Sequence, residues 1–248
     1  MTALQQAARW IGQARRMIFL GGAGVSTLSG IPDFRSAGGI SEDFETILSH
    51  AYFMEHPAEF YSFYRRSMVH PEAKPNLVHR TLAQWERAGL LQAVITQNID
   101  GLHQAAGSRR VLELHGSVLR NHCMNCGRAY GVEQVMKGGN PPRCACGGIV
   151  KPDVVLYGEP LDPDTWQAAE EAVAEADLML VAGTSLRVYP AAGLLQRLRR
   201  GRLVLINREP TAMDRLCDGV IHGELQDAFA YLAQAVEGAD HGGERNET

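Results

Sequence analysis

Met17-Ile18-Phe19-Leu20-Gly21-Gly22-Ala23-Gly24-Val25-Ser26 is the stretch on which the fold turns. Four consecutive apolar residues, too few for a helix, read as a short buried strand that runs straight into a glycine turn. Upstream, Leu4, Ala7, Ala8, Ile11 and Ala14 recur at three-to-four spacing and predict an amphipathic first helix. Downstream the pattern repeats. Further strands are predicted at Ala93–Thr96, Val111–Leu114, Leu178–Ala182 and Leu203–Asn207, with a helix near Pro190–Arg199 and a closing helix over Leu225–Val236. Short apolar strands separated by helices form a doubly wound parallel sheet covered on both faces, an α/β architecture. Such sheets bind ligands where loops leave the carboxyl ends of their strands. Three tracts lie at such ends: Gly21–Ser26, Thr96–Asp100 and Gly183-Thr184-Ser185.

The bulk composition bounds the rest. A chain of 248 residues, 45% hydrophobic and 21% charged, has the material for a real core and fits one large domain or a domain with an insert. A formal charge of −4 gives no electrostatic reason to bind nucleic acid, which calls for a basic face. Arg197, Arg199, Arg200 and Arg202 read as the solvated end of a helix. No signal-like segment and no apolar run approaching the roughly 20 residues of a membrane span is visible. The expectation is a cytoplasmic monomer with no membrane contact.

Two regions break the alternation. Residues 41–75 hold an aromatic stretch from Phe53 to Tyr64 that reads as a helical cap. Residues 119–152 hold few apolar residues and four cysteines, Cys123-x2-Cys126 and Cys144-x-Cys146. Two close pairs separated by about seventeen residues match tetrahedral zinc spacing, and four thiolates leave no open position for catalysis. Two disulfides are the alternative, but they would leave Cys217 odd in a chain without an export signal. A structural zinc there replaces a core. The expected organisation is a Rossmann-like domain from residues 1–40, 76–118 and 153–237, a cap over 41–75, a zinc module over 119–152 and a disordered tail over 238–248.

Gly22-x-Gly24 after a strand suits a tight turn whose amides approach a pyrophosphate. The third glycine of a dinucleotide fingerprint would fall at Thr27, so the match is incomplete, and a plain strand-to-helix corner is the alternative. The continuation Gly30-Ile31-Pro32-Asp33-Phe34-Arg35 adds an arginine suited to clamping phosphate and a ring suited to covering another flat ring. Asn98 and Asp100 leave an apolar strand toward the same crevice, with Asx-turn chemistry as the alternative. His115 ends the strand that begins at Val111. A lone histidine there is more often structural than catalytic, yet its ordinary pKa suits general-base work near neutrality. The residues alone therefore describe a nucleotide-binding α/β enzyme with His115, Asn98 and Asp100 as candidate catalysts.

Read together, these tracts closely resemble the sirtuins. The resemblance runs in order from about residue 12 to 235, through Gly22–Thr27, Gly30–Arg35, Thr96–His103, His115-Gly116, the four cysteines, Lys151–Glu159, Gly183–Leu186 and Ile206-Asn207. It implies an NAD-dependent protein-lysine deacylase with NAD as co-substrate and one structural zinc ion. By position it implies an NAD pocket built from Gly22, Ala23, Gly24, Asp33, Phe34, Arg35, Gln97, Asn98, Ile99, Asp100, Gly183, Thr184, Ser185 and Asn207, with Ile31 beside the nicotinamide. It implies that Val154, Val155, Leu156, Tyr157 and Gly158, facing Leu186 and Val188, grip an acyl-lysine protein as an added strand. His115 would act as general base on a ribose hydroxyl and Asn98 would position the ribose and a water. The products would be free lysine, nicotinamide and an O-acyl-ADP-ribose.

Acyl preference rests on the cap. Sirtuins that favour succinyl or malonyl lysine carry Tyr-x-x-Arg there, and this chain reads Tyr61-Ser62-Phe63-Tyr64-Arg65-Arg66. Counted back from Pro75-Asn76, Tyr61 takes the tyrosine position and Tyr64 stands where arginine belongs. Arg65 follows one residue later, about 100° round the helix. The expectation is a deacetylase. Longer-chain or acidic deacylation and protein mono-ADP-ribosyl transfer are the enzymatic alternatives, and a non-catalytic NAD sensor is the remaining one.

Overall fold

The computed structural model of the chain describes residues 1–33 and 43–240, with side chains through residue 236. Helix α1 (Ala3–Gln13) begins at a capping box in which the Thr2 hydroxyl accepts the Gln5 N–H and the Gln5 side chain accepts that of Thr2. Strand β1 (Met17–Gly21) is buried throughout. Three cap helices follow, α2 (Phe44–Ile47), α3 (His50–Glu55) and α4 (Pro57–Ser67), and then α5 (Leu77–Arg87). The chain continues through β2 (Leu91–Thr96), α6 (Leu102–Ala105), β3 (Val111–Glu113), β4 (Gly116–Cys123), β5 (Ala129–Gly131), α7 (Val132–Lys137) and β6 (Val150–Val154). It closes with α8 (Pro163–Glu175), β7 (Leu178–Ala182), β8 (Arg202–Asn207), β9 (Gly219–His222) and α9 (Leu225–Asp240).

Six strands form one parallel sheet in the order β3-β2-β1-β7-β8-β9. From β1 the chain builds outward to β3, then returns beside β1 and builds the other way from β7. The reversal falls between β1 and β7, which makes that gap the topological switch point. Alternate residues of β1 face opposite layers, as the pleat requires. Met17 and Phe19 pack under α1, α5 and α9, whereas Ile18 and Leu20 pack under α8. The remaining strands pair antiparallel as β5-β4-β6. This small sheet shares a third core with the cap, where Phe53, Phe60, Tyr61 and Tyr64 meet Cys123, Val135, Cys144 and Val150. Among the described residues no helix is long and apolar enough to cross a membrane.

Four details differ from the sequence reading. The aromatic cap stretch is two helices, because Pro57 starts α4 at a first-turn position and cannot continue the ladder of α3. The segment near Pro190–Arg199 is a 3-10 run over Ala191–Arg197, where Gly193 weakens α-helix formation and Leu198 leaves in an extended conformation. Arg199 and Arg200 consequently lie beyond any helix, and Arg202 opens β8 with its guanidinium over the Trp10 ring. Finally, α9 continues through Asp240, since a single glycine at 238 costs only about 1 kcal/mol against alanine and does not end a helix.

Phe229 of α9 is fully buried, edge-on to Phe19 and stacked on Trp85. Phe229→Ala should therefore remove about 3–5 kcal/mol. The change should appear as a lower urea midpoint with an unchanged slope; a changed slope would mean that α9 is not part of the cooperative unit.

Candidate active site

The carboxyl ends of β1, β2, β7 and β8 converge on a cleft of about 980 Å³. Its geometry starts with backbone contact. The Gly24 N–H donates to the Gly183 carbonyl at 2.9 Å, and the Gly22 N–H donates to that of Ala182 at 3.2 Å. A Cβ on Gly24 would lie 2.8 Å from Gly183 Cα, and one on Gly22 would lie 2.7 Å from Thr184 Cβ. Both glycines are thus required by the approach of two neighbouring loops. Ala23 and Gly24 line the cleft, whereas Gly22 does not. Thr27, in place of a third glycine, closes the turn by donating its hydroxyl to the Gly24 carbonyl at 2.9 Å.

Ser26, which sequence reasoning passed over as a site residue, is the hub of the polar network. Its hydroxyl donates to Asp100 Oδ2 at 2.6 Å and accepts from Asn98 Nδ2 at 3.0 Å. Asp100 Oδ1 also accepts the Leu102 N–H at 2.8 Å, so the Asx turn and the cleft contact coexist on one carboxylate. Gln97 Nε2 donates to Thr184 Oγ1 at 3.1 Å, which ties the β2 loop to the β7 loop. Ile99, Asp33, Gly183, Ser185 and Asn207 complete that wall, with Asn207 Nδ2 donating to the Glu209 carbonyl at 2.7 Å. Phe34 and Arg35 lie outside the described residues.

His115 opens onto the same cleft. Its Nδ1 stands 3.0 Å from the Gln97 carbonyl, and a carbonyl only accepts, so Nδ1 carries the proton and Nε2 keeps its lone pair. Burial pushes its pKa below 6.5, partly opposed by that backbone bond. The His115 carbonyl accepts the Val155 N–H at 3.0 Å, joining the histidine to the next wall. Val154, Val155, Leu156 and Tyr157 form that wall, opposite Arg187, Val188 and Tyr189. Gly158 lies just outside the cleft. Leu186, with φ of 53°, turns its side chain into the core beneath α8.

The cap contributes Leu48, Ser67, Met68 and His70 to the cleft, but not Tyr61, Tyr64 or Arg65. Tyr61 and Tyr64 are fully buried in the cap core, and the Tyr61 hydroxyl donates to the Val150 carbonyl. Arg65 Nη2 donates to the carbonyls of Val135, Gly138 and Gly139 at 2.8, 3.2 and 2.6 Å, around the C-terminal end of α7.

At the far end of β4 and β6, the sulfurs of Cys123, Cys126, Cys144 and Cys146 lie within 4.8 Å of one another, and all four are free thiols. Cys123 and Cys146 are 3.4 Å apart, Cys126 and Cys144 3.6 Å. A zinc tetrahedron with bonds of about 2.3 Å has sulfur–sulfur edges of about 3.8 Å, so the cluster fits zinc. The length of β4 (Gly116–Cys123) separates it from His115, about 24 Å of strand at about 3.4 Å per residue, so a metal there cannot touch the cleft chemistry.

The model of the Sir2 family matches residues 22–190. The chain belongs to the Sir2 family. It is 53% identical over 239 residues to an NAD-dependent protein deacetylase of Cutibacterium acnes, covering 94% of this chain and 98% of that one. A protein of the same name from Clostridium perfringens is 49% identical over 224 residues, covering 87% and 92%. Among solved structures, Sir2 with a p53 peptide and NAD+ is 37% identical with a TM-score of 0.84, covering 98% of this chain and 99% of that one. A Sir2 histidine-to-alanine variant with deacetylated p53 peptide and 3'-O-acetyl ADP ribose is 38% identical with a TM-score of 0.87, covering 95% and 98%.

The sulfur geometry predicts one zinc per chain, released by a strong thiol reagent and read with a colorimetric chelator. Cys126→Ser should lose the metal and lower the thermal midpoint, because the β5-β4-β6 sheet has little apolar core of its own beyond the cap contact. Full metal content in that variant would mean that three thiolates suffice.

Proposed function

We propose that the chain is an NAD-dependent protein-lysine deacetylase, which transfers the acetyl group of an acetyl-lysine to ADP-ribose and releases nicotinamide. The observation that carries this is the neutral His115 with Nε2 free, in one cleft with the Ser26–Asn98–Asp100 network. The donor set fits the co-substrate: the backbone amide of Ala23, the side-chain amides of Gln97 and Asn98, and the Thr184 and Ser185 hydroxyls surround a cleft of about 980 Å³. Gly183, Asn207, Asp33, Ile99 and, from outside the described residues, Phe34 and Arg35 complete the pocket in this reading. Bound NAD supplies an electrophilic ribose carbon, a leaving nicotinamide and the acetyl acceptor.

The residues of the chain then have separate tasks. His115 removes a ribose hydroxyl proton at Nε2, and the Nδ1–H bond to the Gln97 carbonyl steadies the cation that forms. Ser26 fixes the orientation of the Asn98 amide and the Asp100 carboxylate. Val154–Gly158 and Val188 hold the target as an extended strand, a mode that reads backbone and tolerates many sequences. Leu48, Met68 and Ile31 offer an apolar lining to the acyl-lysine stem. Arg65 is spent on backbone carbonyls and neither Arg65 nor Arg66 of α4 lines the cleft, which favours acetyl and other neutral acyl groups over succinyl or malonyl. Zinc at Cys123, Cys126, Cys144 and Cys146 holds the module together.

The reading extends to organisation. Residues 1–40, 76–118 and 153–237 form the NAD-binding unit, 41–75 the cap and 119–152 the zinc module in this reading; two apolar clusters lie in the first, and the cap and zinc module share the third. One copy carries the whole cleft, which supports a monomer. Four free thiolates suit a reducing cytoplasm, and a net charge of −4 favours protein over nucleic-acid targets.

The test is NAD with one peptide bearing acetyl-, butyryl- or succinyl-lysine, read by mass and by O-acyl-ADP-ribose. Acetyl should be removed and succinyl left, and His115→Ala should lose about 10²–10⁴ in rate. Label transferred from NAD to protein without deacylation would move the reading to ADP-ribosyl transfer. Since the working base is neutral imidazole with a lowered pKa, kcat/KM should hold as pH falls to 6.5 and decline only below it. A midpoint above 6.5 would contradict the burial argument.

A further inference from the structure

One side chain outside the catalytic network fastens the peptide groove. Glu159 follows Gly158, whose φ of 89° turns the chain back so that the Glu159 N–H donates to the Leu156 carbonyl at 2.9 Å. The carboxylate then folds over the groove wall. Oε2 accepts the Leu156 N–H at 2.9 Å and the Lys151 ammonium at 3.1 Å, and Oε1 pairs with His50 Nδ1 at 2.8 Å. Lys151 is buried, and its other protons go to the Pro152 and Val154 carbonyls at 3.2 and 3.0 Å. Each of its three donors therefore has an acceptor, and Glu159 is its only anion among those contacts.

The partners span three parts of the groove. Lys151 lies on β6, Leu156 belongs to the wall itself, and His50 opens the cap helix α3. The backbone repeats the link: Tyr157 N–H donates to the Leu48 carbonyl and His50 N–H to the Tyr157 carbonyl, both at 2.9 Å, around a parallel bridge between Ser49 and Tyr157. The wall is thus tied to the cap at Tyr157, while both backbone groups of Leu156 are held by Glu159 itself. Burial alone would raise the Glu159 pKa, yet the Leu156 N–H, His50 and Lys151 together hold it below its ordinary value.

We infer that Glu159 is a positioning residue that sets the height and tilt of the peptide-gripping wall, so that target affinity, rather than the chemistry on NAD, depends on the Lys151–Glu159–His50 latch. The inference rests on the deacetylase reading for its assay. Removing the carboxylate leaves the Lys151 ammonium buried without a counter-charge and the Leu156 N–H with a poorer acceptor. Neither change removes a contact of the His115 ring or of the Ser26 network.

Glu159→Gln keeps the shape and removes the charge. It should raise the peptide KM roughly tenfold, equal to about 1.4 kcal/mol, with kcat and the NAD KM within about twofold of the parent. His50→Ala removes only the half-exposed link and should raise the peptide KM about threefold; it carries the test if Glu159→Gln does not fold. A merely structural role would lower the active fraction, and hence kcat, while leaving both KM values in place. Hydrogen exchange supplies a readout that needs no turnover: the Leu156 amide should exchange faster in both variants. Unchanged exchange with an unchanged peptide KM would overturn the latch, as would a fall in kcat alone. A parent enzyme inactive on every acyl peptide would instead overturn the deacetylase reading, and the exchange result would still judge the latch.

Discussion

Backbone lies against backbone where the loops after β1 and β7 meet, and everything in the cleft is positioned from there. Gly24 donates to Gly183, and a Cβ on Gly183 would in turn lie 2.6 Å from Val25 N. Three glycines thus interlock at the switch point, a contact that side chains would hold apart. The consequence passes along the chain. Ser26 is the second residue after Gly24, so fixing the turn fixes the hydroxyl that orders Asn98 and Asp100 from β2. Thr184 is the next residue after Gly183, so the same contact fixes the acceptor for Gln97. The polar constellation is arranged by the approach of two loops.

The cap and the cysteine module obey a different constraint. Neither has enough apolar residues for a core alone, so they pool them: α3 and α4 pack their aromatic faces on β4 and β6, and the cysteines close the far side. Arg65 braces the joint. Its guanidinium gathers carbonyls from the last turn of α7 and just past it, where a helix leaves acceptors unpaired and welcomes a cation. A residue one step from a possible specificity position is therefore a strut between the cap and the cysteine module.

Features carried by neighbours in the chain were legible in the sequence. Strands β1, β2, β7 and β8 are apolar runs bounded by glycine or polar residues, and the cysteine spacing fits metal geometry without reference to the fold. Helical geometry alone also said that Arg65 faces away from the position of Tyr64. What it could not name was the partner, because the carbonyls Arg65 finds lie 70 to 74 residues further along. Ser26 bonds Asp100 across 74 residues and His50 meets Glu159 across 109. Serine after a glycine turn and histidine at a helix start are common, so nothing local marks either. The split of the aromatic stretch is carried by one local residue, Pro57, at the first turn of α4.

Three histidines near the cleft show how little residue type decides. His79 accepts the Asn76 N–H through Nδ1 as part of the α5 cap, while its Nε2 and both nitrogens of His103 have no hydrogen-bond partner among the described residues. Burial holds the pKa of His79 down to about 4 and that of His103 to about 3. Their rings meet edge to face with centroids 4.7 Å apart, a geometry in which an N–H can rest on a π face. They are neutral core residues. Asn76 itself donates to the Val25 carbonyl and Ser29 Oγ, so the cap that His79 completes supports the glycine turn from behind. His115 differs in two respects only: a carbonyl fixes its tautomer, and the cleft leaves its ring in reach of a substrate. A base needs a free lone pair, a fixed orientation and access together, and of these three rings only His115 has them all.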